Sequence, residues 1–561
     1  VHGDLRIRTP LLRQSTVSGA DFQAIGWDEA LEIIHTRFAA VTRRWGSEAI
    51  APLYYGGPMG LLANGSMDKR FFHRLGASKV DASSLCAGTS SAAWDTVFGD
   101  AGGIDFQELA QSKLILVWGN NVTTCNLHLT KIIRDAQKDG ATLVVIDPKR
   151  TRIAKDADLH IPLLPGTDVV LAYTVAALLD ANGGIDQAFV DAHTHGAAAF
   201  LARARDFELA RGASLCGVDP ALISKLAQLL QTQRPAAMSV GVGPERNRNG
   251  SAGLRAAFSL MALSGNIGPR GAGICDTSRY FSVNADRLAR PDLTPEPVRT
   301  LNVMDIPRYV LKPGDETPLR ALFVYNHNPV AVHPEQERMR QALLSPDCFV
   351  VGSDVSMTDS MRCCDLVLPA TTHFEYGDLY KAYGHRYLQR SQPVIEPQGE
   401  ALSNMTLFRR LAERFAFDEP CFSDSDEDLA AQALDHDDDT LSARALDAAI
   451  DMEALGEPAM LRGTAFSTPS GRIELYSETM QDHCGQGLPD FVENRDPRAF
   501  QLVTPASEQR VNSTFGGLKT QQSDVRCEIH PHDAAAPGRS RRRGGTAGER
   551  SCRGTAPRPC Y

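Results

Sequence analysis

No cysteine precedes Cys86, and the 12 cysteines of the 561-residue chain form no C-x-x-C pair; only Cys363 and Cys364 are adjacent. Thiols scattered in this way fit a reducing compartment and argue against both a disulfide framework and a local zinc site. No apolar run approaches the roughly 20 residues that a bilayer-spanning helix needs. The longest, such as Leu114 to Trp118 and Leu143 to Ile146, have the length of strands, so no direct membrane span is expected. Positive charge is not in excess either. A formal net charge of -10 excludes a general nucleic-acid binder, because counterion release needs a basic surface. The opening VHGDLRIRTPLLR lacks the apolar segment of a secretory leader. A cytoplasmic location is therefore expected, or a periplasmic one if a leader has been lost upstream of Val1.

What is present is ordinary globular material, 43% hydrophobic and 22% charged, in a chain too long for one ordinary core. Short apolar runs closed by Gly, Asn, Asp or Pro alternate with longer amphipathic stretches. LILVWGNN (114–121) is followed by a helical pattern through Lys131 to Lys138, then by TLVVIDPKR (142–150). ALFVYNHNP (321–329), CFVVGSD (348–354) and DLVLPATT (365–372) repeat the theme. Strand, loop, helix and strand at this spacing imply an α/β architecture on largely parallel sheets. Ligands of such sheets bind beyond the carboxyl ends of the strands. Asn120, Asn121, Asp147, Asn326, Asn328 and Asp354 close these runs; each alone could merely build a turn, but a shared ligand would explain them together. The acidic stretch around 420–458 reads as a solvated insertion with a helix or two.

Several segments, in order, resemble the molybdopterin oxidoreductases of the dimethyl-sulfoxide-reductase family, with formate-dehydrogenase-like and nitrate-reductase-like features. They are RIRTPLLR (6–13), GWDEAL (26–31), SLCAGTSSAAW (84–94), LILVWGNN (114–121) and VVIDPKRTRIAKDADLHIPLLPGTD (144–168). LSGNIGPRGAGI (263–274), NHNPV (326–330), ATTHFEYGD (370–378), STPSGRIELYS (467–477) and LVTPASEQRVNSTF (502–515) continue the match. The resemblance implies an interleaved multi-domain body with two pseudo-symmetric parallel-sheet dinucleotide-binding domains and a truncated C-terminal β-barrel domain. Its expected parts are a remnant of the N-terminal domain (1–45), a discontinuous second domain (46–107 and 270–480) and a first dinucleotide-binding domain (108–269). The start of a C-terminal pterin-binding domain (495–536) and a basic tail (537–561) would follow.

The cofactor so implied is molybdenum, or tungsten, carried by two molybdopterin guanine dinucleotides. Cys86 stands where the family places its protein ligand to the metal, and a thiolate suits a metal already ligated by sulfur. Gly88 and the small residues Ala87, Ser90 and Ser91 would admit a bulky cofactor; the plainer alternative is a buried free thiol. The backbone amides of Trp118, Gly119, Asn120 and Asn121 could face a phosphate. Asp147 could accept from ribose or guanine, with Arg150 and Thr151 shaping its turn. Gly166 and Asp168 form a second polar turn, and the resemblance gives Asp168 a guanine contact, alongside its possible role as a helix cap. Asn326, Asn328, Ser353 and Asp354 would hold the other dinucleotide, with Thr504 and Asn512 contributing from the C-terminal domain.

Arg255 lies on a helix predicted from Ala252 to Leu263 and stopped at Gly265-Asn266. Its spacing resembles that of formate dehydrogenases, where an Arg holds the substrate carboxylate; a structural ion pair is the alternative. Arg246 and Arg248 are further candidates for an anionic funnel, and His128, His373 and His385 for proton carriage. Formate dehydrogenases carry His after the metal ligand, and here that position is Ala87. The departure opens oxygen-atom or sulfur transfer beside formate oxidation.

The expected partners are a small anionic substrate and a redox partner subunit or electron carrier. A 4Fe-4S cluster belongs to the family's N-terminal region, and its ligands are not in these residues; the chain opens where that region ends. The Arg-, Gly- and Pro-rich tail after Ala536 reads as a disordered segment or a shifted reading frame. Two other functions share the architecture: a non-catalytic electron-transfer scaffold related to respiratory-complex subunits, and a non-redox hydratase or transhydroxylase on the same cofactor.

Overall fold

A computed structural model of the chain describes residues 3–14, 21–275, 283–382, 384–385, 387–434, 449–451, 466–493, 501–508, 511–514, 527–529 and 551–552. The chain divides into two compact units, Val1–Ala506 and Ser507–Tyr561. The first is a mixed α/β body built on two principal sheets.

One sheet contains only parallel pairings. Its strands run in the order Gly273–Ile274, Ala236–Val240, Leu114–Trp118, Thr142–Ile146, Leu159–Ile161. Leu114–Trp118 lies at its centre and is buried throughout, as expected of a strand covered on both faces. The register aligns Trp118 with Ile146 on one side and Val240 on the other. Gly119, Asp147 and Gly241 therefore leave the sheet side by side at its carboxyl edge.

Two helices against this sheet, Asp168–Ala181 and Gly250–Leu263, are apolar nearly all round and buried nearly all round, the pattern of helices inside a layered core. They pack on each other, and the second also packs on Gly88–Phe98. The helix around Arg255 thus begins two residues before the expected start, and Gly265, at φ +66°, follows its end.

The other sheet has the order Phe22–Ala24, Leu11–Arg13, Leu366–Pro369, Phe349–Asp354, Ala321–Tyr325, Ile50–Tyr54. The last four are mutually parallel, and the first two are antiparallel additions. Tyr325 pairs with Ser353 and Tyr54, and Asp354 with Pro369, so Asn326 and the strand end at Asp354 emerge on one edge.

The acidic stretch is less solvated than its composition suggests. Cys421, Phe422, Leu429, Ala430, Ala433 and Leu434 join the core beneath the second sheet. Asp424 accepts a hydrogen bond from the fully buried Arg70, and Asp426 one from Arg409. Charge in the sequence here marks partners for arginine. The remainder of the stretch, 435–448 and 452–458, is outside the described residues, as is most of the expected pterin-binding start and tail. Of the tail, Ser551–Cys552 pairs antiparallel with Cys527–Glu528. Among the described residues no helix is long and apolar enough to cross a membrane.

Candidate active site

Cys86 ends a tight turn between the one-turn helix Ser83–Leu85 and the helix Gly88–Phe98. Its amide donates to the Ser83 carbonyl at 3.1 Å, and its side chain is exposed. The turn closes only because residue 88 is glycine: a Cβ there would stand 2.6 Å from the Ser83 oxygen. Ser83, Ser84, Ser91 and Ala92, close to it in sequence, are exposed as well. An exposed thiol bordered by small side chains leaves room for a large group.

The first row of strand ends is tied together. Trp118 Nε1 donates to Asp168 Oδ1 at 2.7 Å. Burial nevertheless pushes the Asp168 carboxyl up to about 6. Gly119 has φ +56°, and a Cβ on it would meet Pro244 Cδ at 2.4 Å. Asn120 Nδ2 donates to Ser239 Oγ at 3.0 Å, and Asn121 Oδ1 accepts from Thr123 Oγ1 at 3.0 Å. Asp147 Oδ1 accepts the Lys149 amide at 2.8 Å, and burial raises its carboxyl as well. The Gly166 carbonyl accepts from Asn249 Nδ2 at 2.9 Å. Thr151 caps the short helix Arg152–Lys155, and Arg150 is exposed.

The second row has a similar mixture of satisfied and waiting groups. Asn326, at φ +54°, accepts from Asn404 Nδ2 at 2.9 Å, and its carbonyl accepts the Gly57 amide at 3.0 Å. Asn328 Oδ1 accepts from Ser360 Oγ at 2.6 Å. Asp354 Oδ1 accepts the Val355 amide at 2.6 Å, yet burial pushes its carboxyl up to about 6. Ser353 Oγ is buried without a hydrogen-bond partner.

Arg255 is placed differently. Its guanidinium is buried and donates to the carbonyls of Gln486 (2.9 Å) and Gly487, so these two bonds tie its helix to a loop. Thr504 is exposed in the first unit. Asn512, exposed and at φ +49°, sits in a turn of the second unit closed by a Val511–Thr514 bridge. His128 and His373 are exposed, and the His385 ring lies 5.7 Å from Tyr387.

The structure also brings forward residues that no local pattern marked. Arg6 pairs with Glu375 at 2.8 Å in the interior, while its Nε and Nη1 are buried without partners. Its charge acts on Asp354. Glu245 accepts two hydrogen bonds from Ser90. His327 and His333 share a hydrogen bond between their Nε2 atoms at 2.8 Å, one donating to the other. The family segments RIRTPLLR, NHNPV and ATTHFEYGD contain Arg6, His327 and Glu375, but nothing in them marked these residues for a role.

Unpartnered Ser353 Oγ and Arg6 nitrogens, strand-end carboxyls raised by burial and an exposed soft donor fit a polar, phosphate-bearing cofactor ligated through sulfur. Among the described residues no cluster of three or more His, Cys, Asp or Glu could hold a metal by itself. Cys86, Cys125 and Cys484 are the exposed thiols among the described residues. Parallel sheets with polar groups gathered at their carboxyl edges and an exposed thiol at Cys86 are the frame of a cofactor-dependent α/β enzyme. Residues 6–414 match the family model described as Molybdopterin oxidoreductase, and the chain belongs to that family of oxidoreductases.

It is 35% identical over 532 residues to "Probable oxidoreductase YoaE" of Bacillus subtilis (strain 168), covering 92% of this chain and 76% of that protein. It is 24% identical over 438 residues to "Formate dehydrogenase H" of Escherichia coli (strain K12), covering 73% of this chain and 60% of that protein. Its fold is similar to that of acetylene hydratase from Pelobacter acetylenicus, with TM-score 0.75 and 21% identity over 88% of this chain and 72% of that one. Membership implies a molybdenum or tungsten pterin cofactor.

Proposed function

We propose that the protein carries out two-electron oxidoreduction of a small anionic substrate, by formate oxidation or by reduction of an oxyanion or sulfur compound. The centre is molybdenum or tungsten on two pterin guanine dinucleotides, with Cys86 as the protein ligand. A redox partner subunit or electron carrier exchanges the electrons. The observation that carries this reading is the exposed Cys86 thiol at a turn closed by Gly88, in a chain that also buries Ser353 Oγ and two Arg6 nitrogens without partners.

When bound, the metal and its dithiolenes supply the two-electron change. The chain binds and orients. Asp168, buried beside Trp118, offers an acceptor to guanine N–H groups, and such donors would favour its ionised form. Arg6 and Ser353 offer donors near the second strand end. Arg246 and Arg248, exposed on one loop, give an incoming anion a favourable field.

The test is metal and nucleotide analysis of the purified protein beside Cys86→Ser. One metal with about two guanine nucleotides per chain is expected, with an altered metal spectrum in the variant. Soluble, folded wild type without metal or pterin would discard the reading. A metal-replete protein that exchanges no electrons with artificial acceptors or donors would point to hydration instead.

A further inference from the structure

We propose that Glu245 is a positioning residue that fixes Cys86 relative to the first dinucleotide groove; this rests on the reading of Cys86 as the metal ligand. The helix Gly88–Phe98 begins two residues after Cys86, and its N-cap residue, Ala87, makes no side-chain cap bond. Left alone, such an end has amides without partners and frays.

The missing cap comes from 155 residues along the chain. Glu245 Oε2 accepts the Ser90 amide at 2.8 Å and the Ser90 hydroxyl at 2.7 Å. The carboxylate stands at the positive end of the helix, and its side chain is only 1% exposed. Its other oxygen lies 3.4 Å from Arg246 Nη2.

Glu245 is itself held. A Cβ on Gly250 would fall 2.6 Å from Glu245 Cα, so the chain is closely folded there. The surrounding segment is laced to the first row of strand ends. The Gly241 amide donates to Trp118 O at 3.0 Å, the Gly243 amide to Gly119 O at 3.3 Å, and Asn249 Nδ2 to Gly166 O at 2.9 Å.

On the other side, Cys86 is joined to the capped helix by the tight Ser83–Gly88 turn. A displacement of the helix start carries the thiol with it. One buried carboxylate thus links the backbone that would cradle a nucleotide to the sulfur that would ligate its metal. A site that must hold a ligand to a fraction of an ångström needs this kind of supporting contact.

The experiment compares Glu245→Ala, Glu245→Gln, Ser90→Ala and Cys86→Ser with wild type. Amide exchange of the 83–91 segment is measured in metal-free protein, and the electron paramagnetic resonance spectrum of the metal in loaded protein. Glu245→Ala is expected to exchange at Ser90 about 10- to 100-fold faster and to give a shifted or heterogeneous metal spectrum. Glu245→Gln keeps an acceptor oxygen and should restore both readouts. Ser90→Ala loses the hydroxyl bond alone; it should fall between them and carries the test if Glu245→Ala does not fold.

Unchanged exchange in Glu245→Ala overturns the proposal. So does faster exchange with a wild-type metal spectrum, because Glu245 would then be a helix cap and nothing more. Failure of the ligand reading looks different: there, Cys86→Ser itself keeps the wild-type spectrum.

Discussion

Trp118 Nε1 donates to Asp168 Oδ1 in the interior, and burial still outweighs that bond and pushes the carboxyl up to about 6. At neutral pH the cofactor-free protein therefore carries a poorly compensated charge. Asp168→Asn keeps the oxygen that Trp118 needs and removes the charge. We expect it to raise the melting temperature of metal-free protein at pH 7.5, by up to roughly 3 kcal/mol of stability. The same change removes an acceptor for guanine, so the loaded protein should retain less guanine nucleotide. Calorimetry and nucleotide release check the two halves, and a destabilised metal-free variant would contradict the first. Gly119 is a simpler case. At φ +56° and 2.4 Å from Pro244 to a would-be Cβ, Gly119→Ala meets backbone strain and a clash together. A loss of about 1–3 kcal/mol in urea unfolding is expected; unchanged stability would mean that the strand end relaxes freely.

Between elements, Arg255 joins the helix Gly250–Leu263 to the carbonyls of Gln486 and Gly487. Lysine cannot reproduce a two-pronged donor. Arg255→Lys should cost about 2 kcal/mol while leaving KM near wild type; a raised KM at unchanged stability would instead support the substrate-anchoring role. The interior elements were legible in advance because buried parallel strands are continuous apolar runs. Leu114–Trp118, Thr142–Ile146, Ala321–Tyr325 and Phe349–Asp354 all announce themselves so. Ile50–Tyr54 does not: Pro52 argues against a strand, and is accommodated because this strand ends the sheet order and pairs only with Ala321–Tyr325. The strand-end Asn and Asp residues were also legible, since turn chemistry places them. Arg6–Glu375 and Glu245–Ser90 were not, being separated by 369 and 155 residues. No local period encodes a pair brought together only by tertiary folding. Arg70–Asp424 and Arg409–Asp426 show the same limit in a segment whose composition suggested solvent.

At the scale of the whole molecule, buried ionisable groups of both kinds act on stability with opposite sign. Burial pushes Asp354 and Asp378, like Asp168, up to about 6. An acid whose folded value lies above its unfolded one contributes stability below about pH 4, lost as pH rises through about 6. Burial drives His327 down to about 3 and His333 to about 4. A depressed imidazole leaves its stability intact above the ordinary value of 6.5 and loses it as pH falls toward about 3–4. In wild type the two effects oppose each other between about pH 4 and 6, so its own melting curve conceals both. Single variants separate them. Relative to wild type, metal-free Asp354→Asn, which keeps an acceptor for the Val355 amide, should gain stability progressively as pH rises from 4 to 6. His327→Gln, which keeps a polar partner for His333, should show the reverse, its advantage growing as pH falls. Melting temperatures of the three proteins from pH 4 to 8 measure this directly. Parallel curves would mean that water or neighbouring charges compensate these groups within the fold. Diverging curves would show that the carboxyl edge of the second sheet holds the Asp354 charge at a cost, one that a bound cofactor with hydrogen-bond donors there would relieve.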